Sequence, residues 1–117
     1  MRAMTPEQFR ECQEGTVFAY GQPWAFSSLL ILDEHVMGDG YWGFWATNPM
    51  WVDAEDCSQA TERLQDMLEN GASHPMEDAC SKYMSYDGDV MSVFLVLEKA
   101  DIDRLVAKMR PPTMEVV

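Results

Sequence analysis

The chain is 117 residues long, a single-domain length that buries roughly 65% of its unfolded surface and needs neither disulfides nor a metal to hold a core. Hydrophobic residues make up 47% of it, and no apolar run approaches the ~18 residues of a membrane-spanning helix. Twenty acids against eight bases give a net charge of −12, which repels DNA, RNA and anionic membranes and favours basic surfaces.

The opening MRAMTPEQF has no apolar h-region, so no signal peptide is expected and the protein reads as soluble and cytoplasmic. Thr5 as N-cap, Pro6 at the first helical position and Gln8 in a capping box predict a first helix, with Met4 and Phe9 as a hydrophobic staple and Gly15 as its stop. TVFAY (16–20) predicts a strand, GQPW a turn, and AFSSLLILDE (25–34) a second strand whose apolar run at 29–32 suggests a central position. HVMGDG (35–40) reads as a loop, and YWGFWAT (41–47) as a third strand broken by Asn48-Pro49.

Residues 53–70 predict a helix capped by Asp53 or Asp56, with Cys57, Ala60, Leu64, Met67 and Leu68 on one face and Gly71 at its C-terminal end. Residues 72–86 lead through a loop into a strand, Asp87-Gly88 makes a turn, and VMSVFLVLEK (90–99) predicts a further strand. Ile102, Leu105, Val106 and Met109 mark a last helix that Pro111-Pro112 stops. The expected fold is one α+β domain over 1–117. Its small antiparallel sheet has four or five strands with helices packed on one face, in the order α-β-β-β-α-β-β-α.

Three cysteines, Cys12, Cys57 and Cys80, lack the spacing of a zinc site or a disulfide framework and are expected to be reduced, mostly buried thiols. Asp87–Asp89 has the Asp-Gly-Asp start of a calcium loop without its distal Glu, so a hairpin turn is expected there. Neither His35 nor His74 sits in a nucleophile context, and with twenty acids a carboxylate pair can be drawn almost at will. No catalytic residue, metal or cofactor is assigned.

Two features stand out. Three of four tryptophans fall within GDGYWGFWATNPMW (38–51), and strand alternation sends Tyr41 and Trp45 to one face and Trp42 and Phe44 to the other. One pair is expected in the core, leaving the other to dock, as exposed rings do at interfaces. Glu55, Gln59, Glu62, Asp66 and Glu69, spaced 4, 3, 4, 3, make a line about 21 Å long on one helix face. Residues 11–62 hold nine acids and no Lys or Arg, whereas half of the bases (Lys99, Arg104, Lys108, Arg110) lie near the end of the chain.

EGTVFAYGQPWAF (14–26), VDAEDCSQATERLQDMLENGASHPMEDAC (52–80) and FLVLEKADIDRLVAKM (94–109) together resemble small acidic proteins encoded by phages and prophages. The chain departs from them in its Trp-rich strand and in YGQPWAF. The resemblance carries no catalytic residues. It implies a protein that binds a host machine and blocks it, the functional class of anti-CRISPR proteins and other nucleic-acid mimics.

These observations predict a non-enzymatic inhibitor that occupies the basic groove of a host nucleic-acid-binding protein or nucleoprotein complex, such as a CRISPR effector, without itself binding nucleic acid or membrane. The expected contact residues are Asp39, Trp42, Phe44, Trp45, Trp51, Asp53, Glu55, Glu62, Asp66 and Glu69. The alternative is a phage structural or assembly accessory that forms a homodimer or larger self-assembly through the aromatic strand. The third is a small hydrolase or sugar-binding protein.

Overall fold

A computed structural model describes residues 1–49, 52–75 and 81–111. The elements are β1 (Arg2–Met4), α1 (Pro6–Phe9), β2 (Val17–Gln22), β3 (Ala25–Phe26), β4 (Leu30–Gly38), β5 (Tyr41–Thr47), α2 (Cys57–Asn70), β6 (Lys82–Ser85), β7 (Val93–Val96) and α3 (Lys99–Lys108). The seven strands form one sheet in the order β1-β7-β2-β4-β5-β6, with β3 hairpinned onto the end of β2. Every pairing is antiparallel.

The core lies on one face of this sheet. The register puts Phe18, Leu30, Leu32, Trp42, Phe44, Phe94 and Val96 on the same side, and all are buried. The capping box of α1 forms as its residues require: Thr5 accepts from the Gln8 N–H, and the Gln8 side chain accepts from the Thr5 N–H. The helix is a single turn, and its work is to drop Phe9 into the middle of the inner face. That ring stacks on Phe94 at 4.2 Å and meets Phe18, Phe44 and Trp42 at 4.6, 5.8 and 6.1 Å. Aromatic rings thus fill the inner face around one short helix.

This arrangement overturns the expected fold class. The molecule is mostly sheet, seven strands with three short helices, rather than four or five strands under a helical layer. Among the described residues only α1 lies close to the sheet, beside β1 and β7. The reason for α2 is visible in its side chains. The turned-in side of this helix holds buried Ala60 with half-buried Gln59, Arg63, Asp66 and Met67, and it is too polar to bury against aromatic strands. It is satisfied locally instead. Arg63 donates to the Asp53 carbonyl, His74 bonds Asp66 at 2.9 Å, and the Asp53 N–H donates to the Pro75 carbonyl. The N-cap is Asp56, and Gly71 ends the helix at φ 66°, a left-handed conformation that suits glycine.

The last helix, α3, buries no residue: Leu105, Val106 and Met109 are exposed. It is held at its start, where the Met1 amino group pairs with Glu98 and Asp101, and Arg2 pairs with Glu98. The molecule is accordingly drawn out to 54 × 34 × 26 Å, with a radius of gyration of 16.7 Å where a compact chain of this length has about 13 Å.

One strand was not expected, and another runs further than expected. The N-terminal β1 pairs with β7 along the edge of the sheet, and HVMG, expected as loop, continues β4 as far as Gly38. A two-residue Asp39-Gly40 connection then joins β4 to β5, the Asp-Gly sequence that tight hairpins favour. The expected second strand is interrupted, giving β3 and β4 with 27–29 between them. At Asp33 the β4–β5 register slips, and the Asp33 carboxylate accepts from Thr47 at 2.7 Å and from Ser81. The irregularity thereby ties β4, β5 and the approach to β6 together. The Asp87–Asp89 stretch is a local turn in which Asp87 accepts from the Asp89 N–H at 2.9 Å.

Candidate partner-binding surface

The alternation of β5 decides which rings face outward. Phe44 is 0% and Trp42 5% exposed, both on the inner face, so neither offers a surface to a partner. Trp42 is also fixed from the side. Its indole N–H donates to His35 Nδ1 at 3.3 Å, and His35 Nε2 donates to the Cys12 carbonyl at 3.1 Å, which sets the neutral tautomer. Tyr41 and Trp45 point to the other face and are exposed. Trp45 is joined there by Tyr83 of β6, the residue opposite it in register, with ring centroids 5.5 Å apart. Sequence reasoning missed Tyr83, because only the β5–β6 register brings it to Trp45. The pair is 38% and 41% exposed.

The rest of the outer face is apolar and incompletely covered. Val17, Ala19, Ile31, Val36, Val93 and Leu95 share it, all half-buried. Glu34 is the acid that register places among them, opposite Trp45.

The acids fall into separate groups. Asp39 is exposed in the β4–β5 turn, remote in sequence and element from the acids of α2. Glu62 and Glu69 are exposed on α2, and Glu55 is exposed just before it. The line drawn through them in the sequence is not uniformly free. Gln59 turns back to accept from the Glu55 N–H at 2.7 Å, and Asp66 is engaged by Asn70 at 2.7 Å and by His74. Those two hydrogen bonds, Asn70 first and then His74, hold the Asp66 carboxyl below its usual pKa. Asp53 is half-buried in the segment leading into α2, where its backbone holds Arg63 and Pro75. Trp51 lies outside the described residues, as do Cys80 and Pro112.

Among the described residues, the ion pairs engage Glu98, Asp101 and Asp103 near α3, and Asp66 with His74. Glu55, Glu62 and Glu69 have no cationic partner among them. Burial raises the pKa of the Cys12 thiol, the reverse of an activated nucleophile. Cys57, expected among buried thiols, is exposed at the first position of α2. No group of three or more His, Cys, Asp or Glu among the described residues is placed to hold a metal ion. No helix among the described residues is long and apolar enough to cross a membrane.

Comparison with protein-family models, with curated proteins and with solved structures finds no match.

Proposed function

We propose that the protein is a non-catalytic, phage-type inhibitor that binds the basic surface of a host nucleic-acid-binding protein or complex, in the manner of an anti-CRISPR protein. The observation that carries this reading is the trio Glu55, Glu62 and Glu69: exposed and without a cationic partner among the described residues. They recur every seven residues, about 10 Å per step along a helix, where Lys in alternation would solvate the surface as well. A basic groove would neutralise them. In the complex the carboxylates steer the encounter, while an exposed aromatic anchor, Trp45 with Tyr83, supplies the desolvated contact.

The test is the triple reversal Glu55→Lys, Glu62→Lys and Glu69→Lys, all at exposed positions. Its association with the target should slow by about tenfold or more, and the salt dependence of the association rate should largely vanish. A variant that associates at the wild-type rate at low salt rules the carboxylates out.

The apolar outer face favours a second reading, self-association of an assembly protein. Wild-type protein would then show a concentration-dependent mass in sedimentation, and Trp45→Ser with Tyr83→Ser would be monomeric throughout. A wild-type monomer at all concentrations disposes of it.

A further inference from the structure

Among the described residues α1 is the one helix beside the sheet, and a cleft of about 550 Å³ stays open at the hairpin end of the inner face. Its lining includes Arg10, Met37, Tyr41, Trp42, Ser85 and Tyr86. Arg10 is its one charged side chain. It follows directly on α1, half-buried, with its guanidinium 4.7 Å above the centroid of the Trp42 ring. No carboxylate pairs with it and no acceptor takes a hydrogen bond from its side chain among the described residues; its Nε is buried without any partner.

That is an unusual place for a cation in this chain. Arginine is seldom withdrawn from water unless paired, and twenty acids were available to pair it. Arg2 and Lys99 both have carboxylate partners, and Arg63 and Arg110 donate to carbonyls. Arg10 instead keeps five N–H donors uncommitted, in a planar fork suited to two oxygens of one oxyanion. The fork is oriented by Trp42, which His35 and the Cys12 carbonyl hold in turn. Around it stand groups suited to the rest of a ligand: the Tyr86 ring, 5.2 Å from Trp42, and the Met37 side chain, which register places opposite Trp42.

We propose that this cleft binds a small aromatic molecule carrying one terminal oxyanion, a carboxylate or a phosphate. The oxyanion takes the Arg10 fork, and the flat body lies against Tyr86 and Met37. The volume suits a single small molecule. The net charge of −12 and the exposed Asp39 in the adjoining turn oppose a polyanion, so a nucleic-acid strand is not the ligand.

The experiment follows the Trp42 indole N–H by NMR in the full chain. The titrants are phenyl phosphate, phenylacetate, inorganic phosphate and phenol. Phenyl phosphate or phenylacetate should shift the resonance saturably, and the tighter of the two identifies the oxyanion. Inorganic phosphate and phenol should each bind at least about tenfold more weakly. Arg10→Gln should weaken the aromatic anion by about tenfold or more, and Arg10→Lys by less. Met37→Ala, at an exposed position of the cleft, should weaken it while leaving the fold spectrum unchanged. No saturable shift with either aromatic anion up to about 10 mM overturns the proposal. Equal binding of phenol, or undiminished binding to folded Arg10→Gln, also overturns it.

Discussion

Replacing Phe9 by alanine should remove much of the stability of this protein. The ring is fully buried and supplied by a single helical turn. It touches Phe94 face to face at 4.2 Å, Phe18 at 4.6 Å, His35 at 5.6 Å, Phe44 at 5.8 Å and Trp42 at 6.1 Å. Buried Phe→Ala changes cost about 3–5 kcal/mol, the larger values arising where the surroundings cannot close the cavity. Here the walls are rings mounted on paired strands, and among the described residues no second helix lies over them, so a cost near 4 kcal/mol is expected. Against a total of about 6–18 kcal/mol for a chain of this length, that is about a fifth or more of the whole.

Urea unfolding followed by tryptophan fluorescence reads the change, since Trp42 stands beside the lost ring. The paired control is Leu105→Ala on the exposed side of α3, which should cost within about 0.5 kcal/mol. A Phe9→Ala loss below about 2 kcal/mol with an unchanged denaturant slope would refute a core centred on this ring. So would a Leu105→Ala loss of comparable size, because it would mean that α3 covers the core.

Other substitutions probe the sheet and the acidic helix. Gly21→Ala should cost about 1–3 kcal/mol or unpair β3, because an added Cβ would overlap the Ala25 carbonyl oxygen, a backbone atom with no rotamer to change; hydrogen exchange of the Ser27 amide, which donates to the Tyr20 carbonyl, reports which occurs. The lowered folded-state pKa of Asp66 means that its stabilising contribution is complete above the unfolded value of 3.8 and fades as pH falls through the folded value. In a carboxyl-carbon NMR titration, Asn70→Ala should move the Asp66 midpoint up toward 3.8 by more than His74→Ala does, since Asn70 supplies the larger effect.

Local chemistry was readable in the sequence where neighbours decide the structure. Thr5, Pro6 and Gln8 gave the start of α1, Gly71 the end of α2, and the alternation of β5 split its rings between two faces. What escaped depended on distant partners. Nothing in Arg2–Met4 suggests a strand; β1 exists because β7 offers an edge from Phe94 to Val96, at the far end of the chain. The glycines beside HVMG suggest a loop, whereas Asp39-Gly40 between apolar runs is a hairpin signal and is the one the chain follows. Amphipathic spacing in α2 and α3 shows that an apolar side exists but not that it is covered, and Leu68 is 86% exposed. The assumption that these helices roof the sheet produced the wrong fold class. At the candidate site, the Asp56 cap, the spacing of Ala60, Leu64, Met67 and Leu68 and the terminal Gly71 located α2 and with it the acids, while the loss of Asp66 to Asn70 and His74 depended on how the chain returns after Gly71.

The most direct test of the proposed function is capture from a bacterial lysate on the immobilised protein, beside the Glu55→Lys, Glu62→Lys, Glu69→Lys variant, with elution by free duplex DNA. The account predicts a nucleic-acid-binding complex that the wild type retains at low salt, that DNA displaces, and that the variant fails to hold. Retention of such a complex equally by both proteins, or recovery of nothing but the protein itself, would contradict it.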